Sequence, residues 1–334
     1  MNYSIHTLEL TQVLEKAIYE KCIKRAYTKA KGSHRVFEKK DVIFDGALAS
    51  QGIKVEYHRG KYKRKVKLIV NPTKVLGSND LRLWAPNKKS ISKLIRKLES
   101  HIDDYFDNDY TLNDFQLTRI DFTVNIDVGN RKKVSAYIKV LRKLGKIKGF
   151  SPKYGKSDSH IDEDLSFDLE GNSNGVDFTA YDKEEQLNQK NADSKLIKQA
   201  KGILRLEVRL KKKKAIGKYT DETESPLQII DLTLNSKKIF LDTFRQIVPP
   251  GDHYQMKRAV DMVKSNGIKT NRQEKMLRLM NLITEKKSLY SAQKAMNYRD
   301  VDALMGWFAG INLSPVTISK RHEVKHLESL YSLL

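Results

Sequence analysis

Residues 117 to 128 read LTRIDFTVNIDV, and apolar and polar side chains alternate along the whole stretch. Successive side chains of a β-strand point to opposite faces, so this pattern predicts a strand with one apolar and one polar face. The apolar set is Ile120, Phe122, Val124, Ile126 and Val128. The polar set is Arg119, Asp121, Thr123, Asn125 and Asp127. A half-buried strand of this kind requires a sheet with a covered side and an open side.

Two further stretches repeat the pattern. ILRLEVRL, residues 203–210, opposes four apolar side chains to Arg205, Glu207 and Arg209, and VDFTAY, residues 176–181, ends its polar set on Tyr181. A sheet covered by helices on one side would therefore gather Asp121, Glu207 and Tyr181 on its open face. An ordinary half-solvated sheet also gives such a pattern. Carboxylates are poor strand formers, however, and two of them flanked by arginines favour a role in chemistry.

The remaining pattern predicts an α+β fold. Helical spacing over residues 7–30 predicts a helical arm, so residues 1–40 are assigned to it. Hairpins are predicted from Ile53 to Val70 and around residues 171–175, with amphipathic helices over 91–102 and 134–144. Residues 41–217 are thus expected to form an antiparallel sheet with helices on one face. Residues 218–334, punctuated by proline and glycine, are expected to form a separate all-helical domain.

Composition excludes several classes of protein. The chain has 334 residues, 39% of them hydrophobic, which is enough for a core. The single cysteine, Cys22, excludes an internal disulfide framework and a thiolate cluster for zinc. No run of about 18 apolar residues is present to span a membrane. These features favour a cytoplasmic protein without a membrane partner.

The net charge of +22 favours a polyanionic partner, and nucleic acid is the usual one. Two basic clusters are candidate DNA contacts, although each alone could be solvated surface. The first cluster is Lys61, Lys63, Arg64, Lys65 and Lys67. The second is Lys211, Lys212, Lys213 and Lys214.

The carboxylates of the polar face predict a metal site. Carboxylates with open positions suit Mg²⁺ or Mn²⁺, which makes Asp121 and Glu207 candidate ligands. A tyrosine beside such a metal is a candidate nucleophile toward phosphate, and Tyr181 is placed for that role. Arg119 is expected to pair with Asp121. No two histidines are separated by a single residue, so the two-histidine metal motif is missing.

Four motifs carry a resemblance to a known family. They are VNPTKVLGSNDL, LTRIDFTVNID, VDFTAYDKEEQ and GILRLEVRL, in this order between residues 50 and 217. In order and spacing they resemble the gene II replication initiator of filamentous phages and the wider group of Rep_trans-type plasmid initiators. Compared with the phage protein, N-terminal strands are not evident in residues 1–40.

The resemblance implies a rolling-circle replication initiator with a derived HUH/Rep-like nuclease domain over residues 41–217. It places the nucleophilic tyrosine on Tyr181, followed by Lys183, and the acidic residues of the metal site on Asp121 and Glu207. Such an enzyme nicks and rejoins one DNA strand at the origin through a 5′-phosphotyrosine. Lys183, Arg205 and Arg209 are candidates to neutralise charge on the phosphate.

The expected partners are origin DNA, single-stranded or extruded from a duplex, and the host helicase and DNA polymerase. A homodimer is left open. Two alternatives remain at this point. One is a non-catalytic plasmid initiator that binds its origin through winged-helix domains, and the other is a relaxase that nicks a transfer origin.

Overall fold

A computed structural model describes residues 2–30, 35–60, 64–79, 81–153, 165–297 and 299–334. Within these ranges, ten strands form one sheet in which each neighbouring pair runs antiparallel. The strands are β1 (Ser4–Val13), β2 (Val36–Lys39), β3 (Val42–Asp45), β4 (Ile53–Arg59), β5 (Arg64–Val70), β6 (Gln116–Asp127), β7 (Phe150–Pro152), β8 (Ser166–Gly171), β9 (Val176–Asp182) and β10 (Ile203–Leu210). Their order across the sheet is β2-β3-β4-β5-β1-β6-β10-β9-β8-β7. The predicted antiparallel sheet is therefore present, with the opening motif at its centre.

The first strand corrects the predicted helical arm. β1 lies between β5 and β6 in the middle of the sheet, and the helix α1 (Lys16–Lys29) begins only after it. Leu8 and Leu10 are fully buried, while Glu9 between them lies on the other face. The burial of these residues thus follows the two-residue period of a strand paired on both sides. The helix predicted over 7–30 is correct for α1 and wrong for the residues before it.

Six further helices follow α1 in the described residues of the first part of the chain. They are α2 (Pro72–Val75), α3 (Lys88–Phe106), α4 (Arg131–Arg142), α5 (Lys183–Gln189), α6 (Ser194–Gln199) and α7 (Lys213–Ile216). α3 begins at Asn87, whose side chain accepts from the Ser90 backbone N–H while Ser90 Oγ accepts from the Asn87 N–H. Its buried side is the predicted set from Ile91 to Ile102.

The later part of the chain is mostly helical. Its helices are α8 (Ser225–Leu234), α9 (Ser236–Ile247), α10 (Met256–Ser265), α11 (Thr270–Lys286), α12 (Leu289–Met296), α13 (Val301–Gly310) and α14 (Leu330–Leu333). The expectation of an all-helical region is wrong at one place, because β11 (His253–Tyr254) pairs with β12 (His326–Leu327). Strands of two residues are too short to leave a period in the sequence. Gly251 precedes β11 at φ 107°, where a Cβ would collide with the Leu313 carbonyl group.

Helices cover the apolar face of the sheet. α4 packs on β8, β9 and β10, α8 packs on β6, and α9 packs on β6 and β10. Phe178 of β9 meets Phe244 of α9 with ring centroids 6.2 Å apart. α8 and α9 thus share the core of the sheet although they follow residue 217, and the division of the chain at that residue stays a prediction. Among the residues described, no helix has the length and apolar character to cross a membrane.

Candidate active site

A cleft of about 690 Å³ lies on the polar face of the sheet. Its walls come from β1, β4, β5, β6, β8, β9 and β10, and α5 closes one end. Asp121, Glu207 and Tyr181 all line it, as the alternation of their strands predicts. The cleft therefore collects side chains that are up to about 200 residues apart in the sequence.

Tyr181 lies at the base of the cleft, and its hydroxyl has two partners. It donates to Glu207 Oε1 at 2.7 Å and accepts from Gln186 Nε2 at 3.2 Å. Asp182 caps α5 by accepting from the backbone N–H groups of Glu184 and Glu185, which turns the helix back over the strand end. Gln186 of α5 then contacts the Tyr181 hydroxyl, and Tyr181 is only 2% exposed. The turn into α5 therefore leaves Tyr181 buried at the end of β9.

Burial decides the protonation of Tyr181. It raises the pKa of the phenol well above its usual value, the negative charge of Glu207 raises it further, and Arg205 partly opposes both. The hydroxyl therefore holds its proton at neutral pH. Formation of a nucleophilic phenolate requires a base, and the Glu207 carboxylate is already hydrogen-bonded to that proton.

Asp121 is held between two arginines. Arg119 grips it from its own strand, with Nε to Oδ1 at 2.8 Å and Nη2 to Oδ2 at 2.5 Å, and Arg209 of β10 adds a contact of 3.3 Å to Oδ2. Arg119 also contacts Glu9 Oε1 at 2.7 Å. Burial alone would lower the pKa of Arg119, but the carboxylates of Asp121 and Glu9 raise it above its ordinary value. The expected pairing of Arg119 with Asp121 is confirmed.

This arrangement does not fit a divalent metal at Asp121 and Glu207. Both oxygens of Asp121 accept from guanidinium groups, which would repel a cation, and one oxygen of Glu207 accepts from Tyr181. Across the described ranges, no group of three acidic, histidine or cysteine side chains is placed to hold a metal. The predicted Mg²⁺ or Mn²⁺ ligands are thus engaged with other partners in this structure.

The other predicted catalytic residues differ in whether they line the cleft or are fully buried behind it. Arg209 lines the cleft, and its guanidinium lies 3.9 Å from Asp177 on β9. Arg205, fully buried, lies opposite Tyr181 in the sheet and donates to Asn125 Oδ1 at 2.7 Å. Lys183 is also fully buried and does not line the cleft; its Nζ donates to Gln186 Oε1 at 2.6 Å. Lys183 therefore reaches Tyr181 through Gln186.

The predicted DNA contacts do not all lie on one surface. Lys65, Lys67 and Lys211 line a groove of about 820 Å³, here called the basic groove, which shares Arg119 and Arg209 with the cleft. Arg64 alternates to the helix-covered face, because it follows the register of Val66 and Leu68. Lys212, Lys213 and Lys214 are exposed at the start of α7. Lys61 and Lys63 lie outside the described residues.

Two residues that contact the site, Glu9 and Gln186, are not among those predicted from the sequence. The helix predicted over residues 7–30 gives Glu9 no place in the sheet. The alternation of Leu8 and Leu10 is the signal that could have placed Glu9 on the polar face. Gln186 follows Tyr181 by five residues, and no spacing rule marks a glutamine on a short helix as a site residue.

The comparisons with known proteins place this chain in a family. Residues 17–224, more than half of the chain, match the family of the phage replication-associated gene II protein, over the N-terminal part of that protein. The chain belongs to this family, and it is a phage-type rolling-circle replication initiation protein. The resemblance drawn from the four motifs is thereby confirmed.

A solved structure gives a weaker likeness. A rolling circle replication initiator protein from Geobacillus stearothermophilus is 13% identical, with a TM-score of 0.38, over 74% of this chain and 85% of that one. A likeness at this level carries no argument about function. No curated protein matches the chain significantly.

Proposed function

We propose that this protein is a nicking-closing transesterase that cuts and rejoins one DNA strand at a replication origin through a phosphotyrosine on Tyr181. One observation carries the proposal: the Tyr181 hydroxyl lies in the cleft within 2.7 Å of Glu207, a carboxylate able to take its proton. A nucleophile beside a positioned base is the recurring geometry of covalent catalysis. Family membership indicates that the substrate is DNA, since a replication initiator acts at an origin.

The proposed step exchanges one phosphoester bond for another. Glu207 takes the phenolic proton while the Tyr181 oxygen attacks the scissile phosphorus. The bond from phosphorus to the 3′ oxygen breaks, and that oxygen is protonated by solvent to a hydroxyl. The protein keeps the 5′-phosphate, so rejoining is the reverse attack by a 3′-hydroxyl and needs no ATP. The released 3′-hydroxyl is the end that a host DNA polymerase would extend, behind a host helicase.

The floor of the cleft supplies positive charge for the phosphate. Arg119 and Arg209 keep 21% and 14% of their side chains exposed while sharing the carboxylate of Asp121. Asp121 between them, Glu9 beside Arg119 and Asp177 beside Arg209 hold the two guanidinium groups at a fixed place. Fixed charge of that kind stabilises the charge that builds on the phosphoryl oxygens in the transition state. Asp121 thus acts in the proposal as the residue that positions both arginines.

Gln186 restricts the access of a phosphate to the Tyr181 hydroxyl. A phosphate must come within about 3 to 3.5 Å of the attacking oxygen, and Gln186 now occupies one side of it. The proposal therefore requires Gln186 to swing away when DNA enters. Lys183 holds the amide in its present position, because its Nζ donates to Gln186 Oε1 at 2.6 Å.

The first prediction tests the nucleophile. Labelled single strands covering the replicon's origin are incubated with the protein in Mn²⁺ and, separately, in EDTA, and denaturation-resistant bands are scored. We expect Tyr181→Phe to fold and bind DNA but to form no band, because only the attacking oxygen is lost. Tyr137→Phe is the matched control, since that hydroxyl donates to the Glu328 carbonyl on the helix-covered side at 2.8 Å.

The other outcomes separate the alternatives. An adduct mapped by mass spectrometry to another tyrosine keeps the enzyme class and overturns Tyr181. Tight origin binding with no adduct from any strand favours the non-catalytic initiator. An adduct formed on a transfer origin in preference to a replication origin favours the relaxase.

A further inference from the structure

A second concentration of positive charge lies on the side of the molecule away from the cleft. Residues 131–148, which contain α4, include eight lysines and arginines and no acidic residue. α4 packs on the apolar face of β8 and β9, so its outer surface is separated from the cleft by the full sheet. No role in the proposed chemistry accounts for this charge.

The charge surrounds a pocket of about 350 Å³ between α4 and the segment 319–322, here called the back pocket. Ala136 and Val140 of α4 contribute apolar surface to its wall. The polar lining consists of Lys139, Lys143, Ser319, Arg321 and His322. These side chains come from two stretches about 180 residues apart, so tertiary structure alone creates the pocket.

The two walls of the back pocket are fastened together. Lys143 Nζ donates to the Thr317 carbonyl at 2.7 Å, and the Tyr137 hydroxyl donates to the Glu328 carbonyl. Ser319 shapes the turn, because its carbonyl accepts from the His322 backbone N–H at 3.0 Å. The pocket is therefore a fixed feature of the fold.

The cations of the back pocket lack acidic partners. Within the described part of the chain, no carboxylate forms an ion pair with Lys139, Lys143 or Arg321, whereas Lys132 nearby pairs with Glu323. Burial lowers the pKa of Lys143, and burial followed by the charges of Lys139 and Lys143 lowers that of His322. The positive charge in the pocket is thus uncompensated.

We infer that the back pocket binds a backbone phosphate of duplex DNA that flanks the strand held in the cleft. An arginine fork beside a hydroxyl and lysine ammonium groups matches the oxygens of a phosphate. The charge continues along α4 beyond the pocket, which suits a polyanion better than a single ion. Since the sheet separates the pocket from the cleft, this phosphate belongs to a different stretch of the same DNA. The inference rests on origin-DNA binding and not on the tyrosine chemistry.

The test measures duplex binding by the full chain over a salt series. The double variant Lys139→Gln/Arg321→Gln removes two cations whose side chains make no ion pair with any described residue. We expect affinity for an origin duplex to fall at least tenfold and the log–log salt slope to flatten by about 0.9, as for one lost phosphate contact. Lys89→Gln/Lys93→Gln is the control, because it removes the same charge from the exposed surface of α3.

Each other outcome has a definite meaning. Equal losses in the pocket variant and the control would mean that net charge alone acts, and the pocket is overturned. An unchanged duplex affinity with binding of inorganic phosphate would make it a free-anion site and would also overturn the inference. Adduct formation by the unsubstituted protein is scored alongside; its absence, with the pocket effect intact, removes the proposed chemistry and leaves the pocket standing.

Discussion

Asp121 and Glu207 show how two similar carboxylates take different roles through their neighbours. Both lie on the polar face and both are at least 94% buried. Asp121 has an arginine two residues away on its own strand and another directly opposite on β10. Glu207 is flanked in register by threonines on β6 and β9, so the phenol of Tyr181 is free to donate to it. The register of the strands thus makes one carboxylate an anchor and the other a candidate base.

The prediction at this scale concerns the proposed base. Glu207→Gln keeps the shape and a carbonyl oxygen for the Tyr181 hydroxyl but cannot accept its proton. We expect adduct formation to slow by about 10²- to 10⁴-fold, the range for general base catalysis, with thermal unfolding unchanged. Glu170→Gln is the control, since its side chain is 57% exposed at the cleft edge. Reaction at the unsubstituted rate would assign the proton to another acceptor.

β1 is the element that holds the two halves of the sheet together. It pairs with β5 on one side and with β6 on the other, so among the described strands it joins the hairpin half to the half that carries Tyr181. It also brings Glu9 to Arg119, and this contact holds the Arg119 guanidinium in place at the cleft. An N-terminal arm outside the core would do neither.

The prediction at the scale of elements tests this placement. Leu8 is fully buried and lies between Val70 and Ile120 in register. We expect Leu8→Ala to lower the free energy of unfolding by about 2 to 5 kcal/mol, because it leaves a cavity in the core. Val13→Ala, at a site that is 46% exposed, should change it by less than about 0.5 kcal/mol. Equal small losses in urea unfolding for both variants would contradict a central β1.

The whole molecule has one continuous core across the boundary suggested by its sequence. Ile229, Leu232, Phe240 and Phe244 of α8 and α9 are buried in the same cluster as the apolar face of the sheet. The Ser236 hydroxyl also donates to the Tyr3 carbonyl beside β1. The covered face of the sheet thus depends on residues after 217.

The prediction at this scale concerns truncation. A chain ending at residue 217 would expose the apolar face of β6 and β10 to water, which costs about 25 cal/mol for each Å² uncovered. We expect this fragment to aggregate or to lose cooperative thermal unfolding. The full-length chain is the reference in the same scan. A soluble 1–217 fragment that melts cooperatively at the full-length temperature would support two independent domains.

The sequence alone determined which residues share a strand face, since side-chain alternation depends only on the local backbone. That is why the polar face with Asp121, Glu207 and Tyr181 could be predicted. The family was indicated separately, by the resemblance of the four motifs. It did not determine residues 4–13, because an apolar pattern of ten residues fits more than one element until its neighbours β5 and β6 are known.

Tertiary structure alone decided the partners. It added Arg209 to the pair of Arg119 and Asp121, placed Gln186 against the Tyr181 hydroxyl, and joined α4 to the segment 319–322 around the back pocket. Hydrogen bonds and ion pairs form over about 3 Å between atoms that can be hundreds of residues apart in the chain. Their pairing therefore follows from strand register and helix packing, which no local pattern of residues encodes.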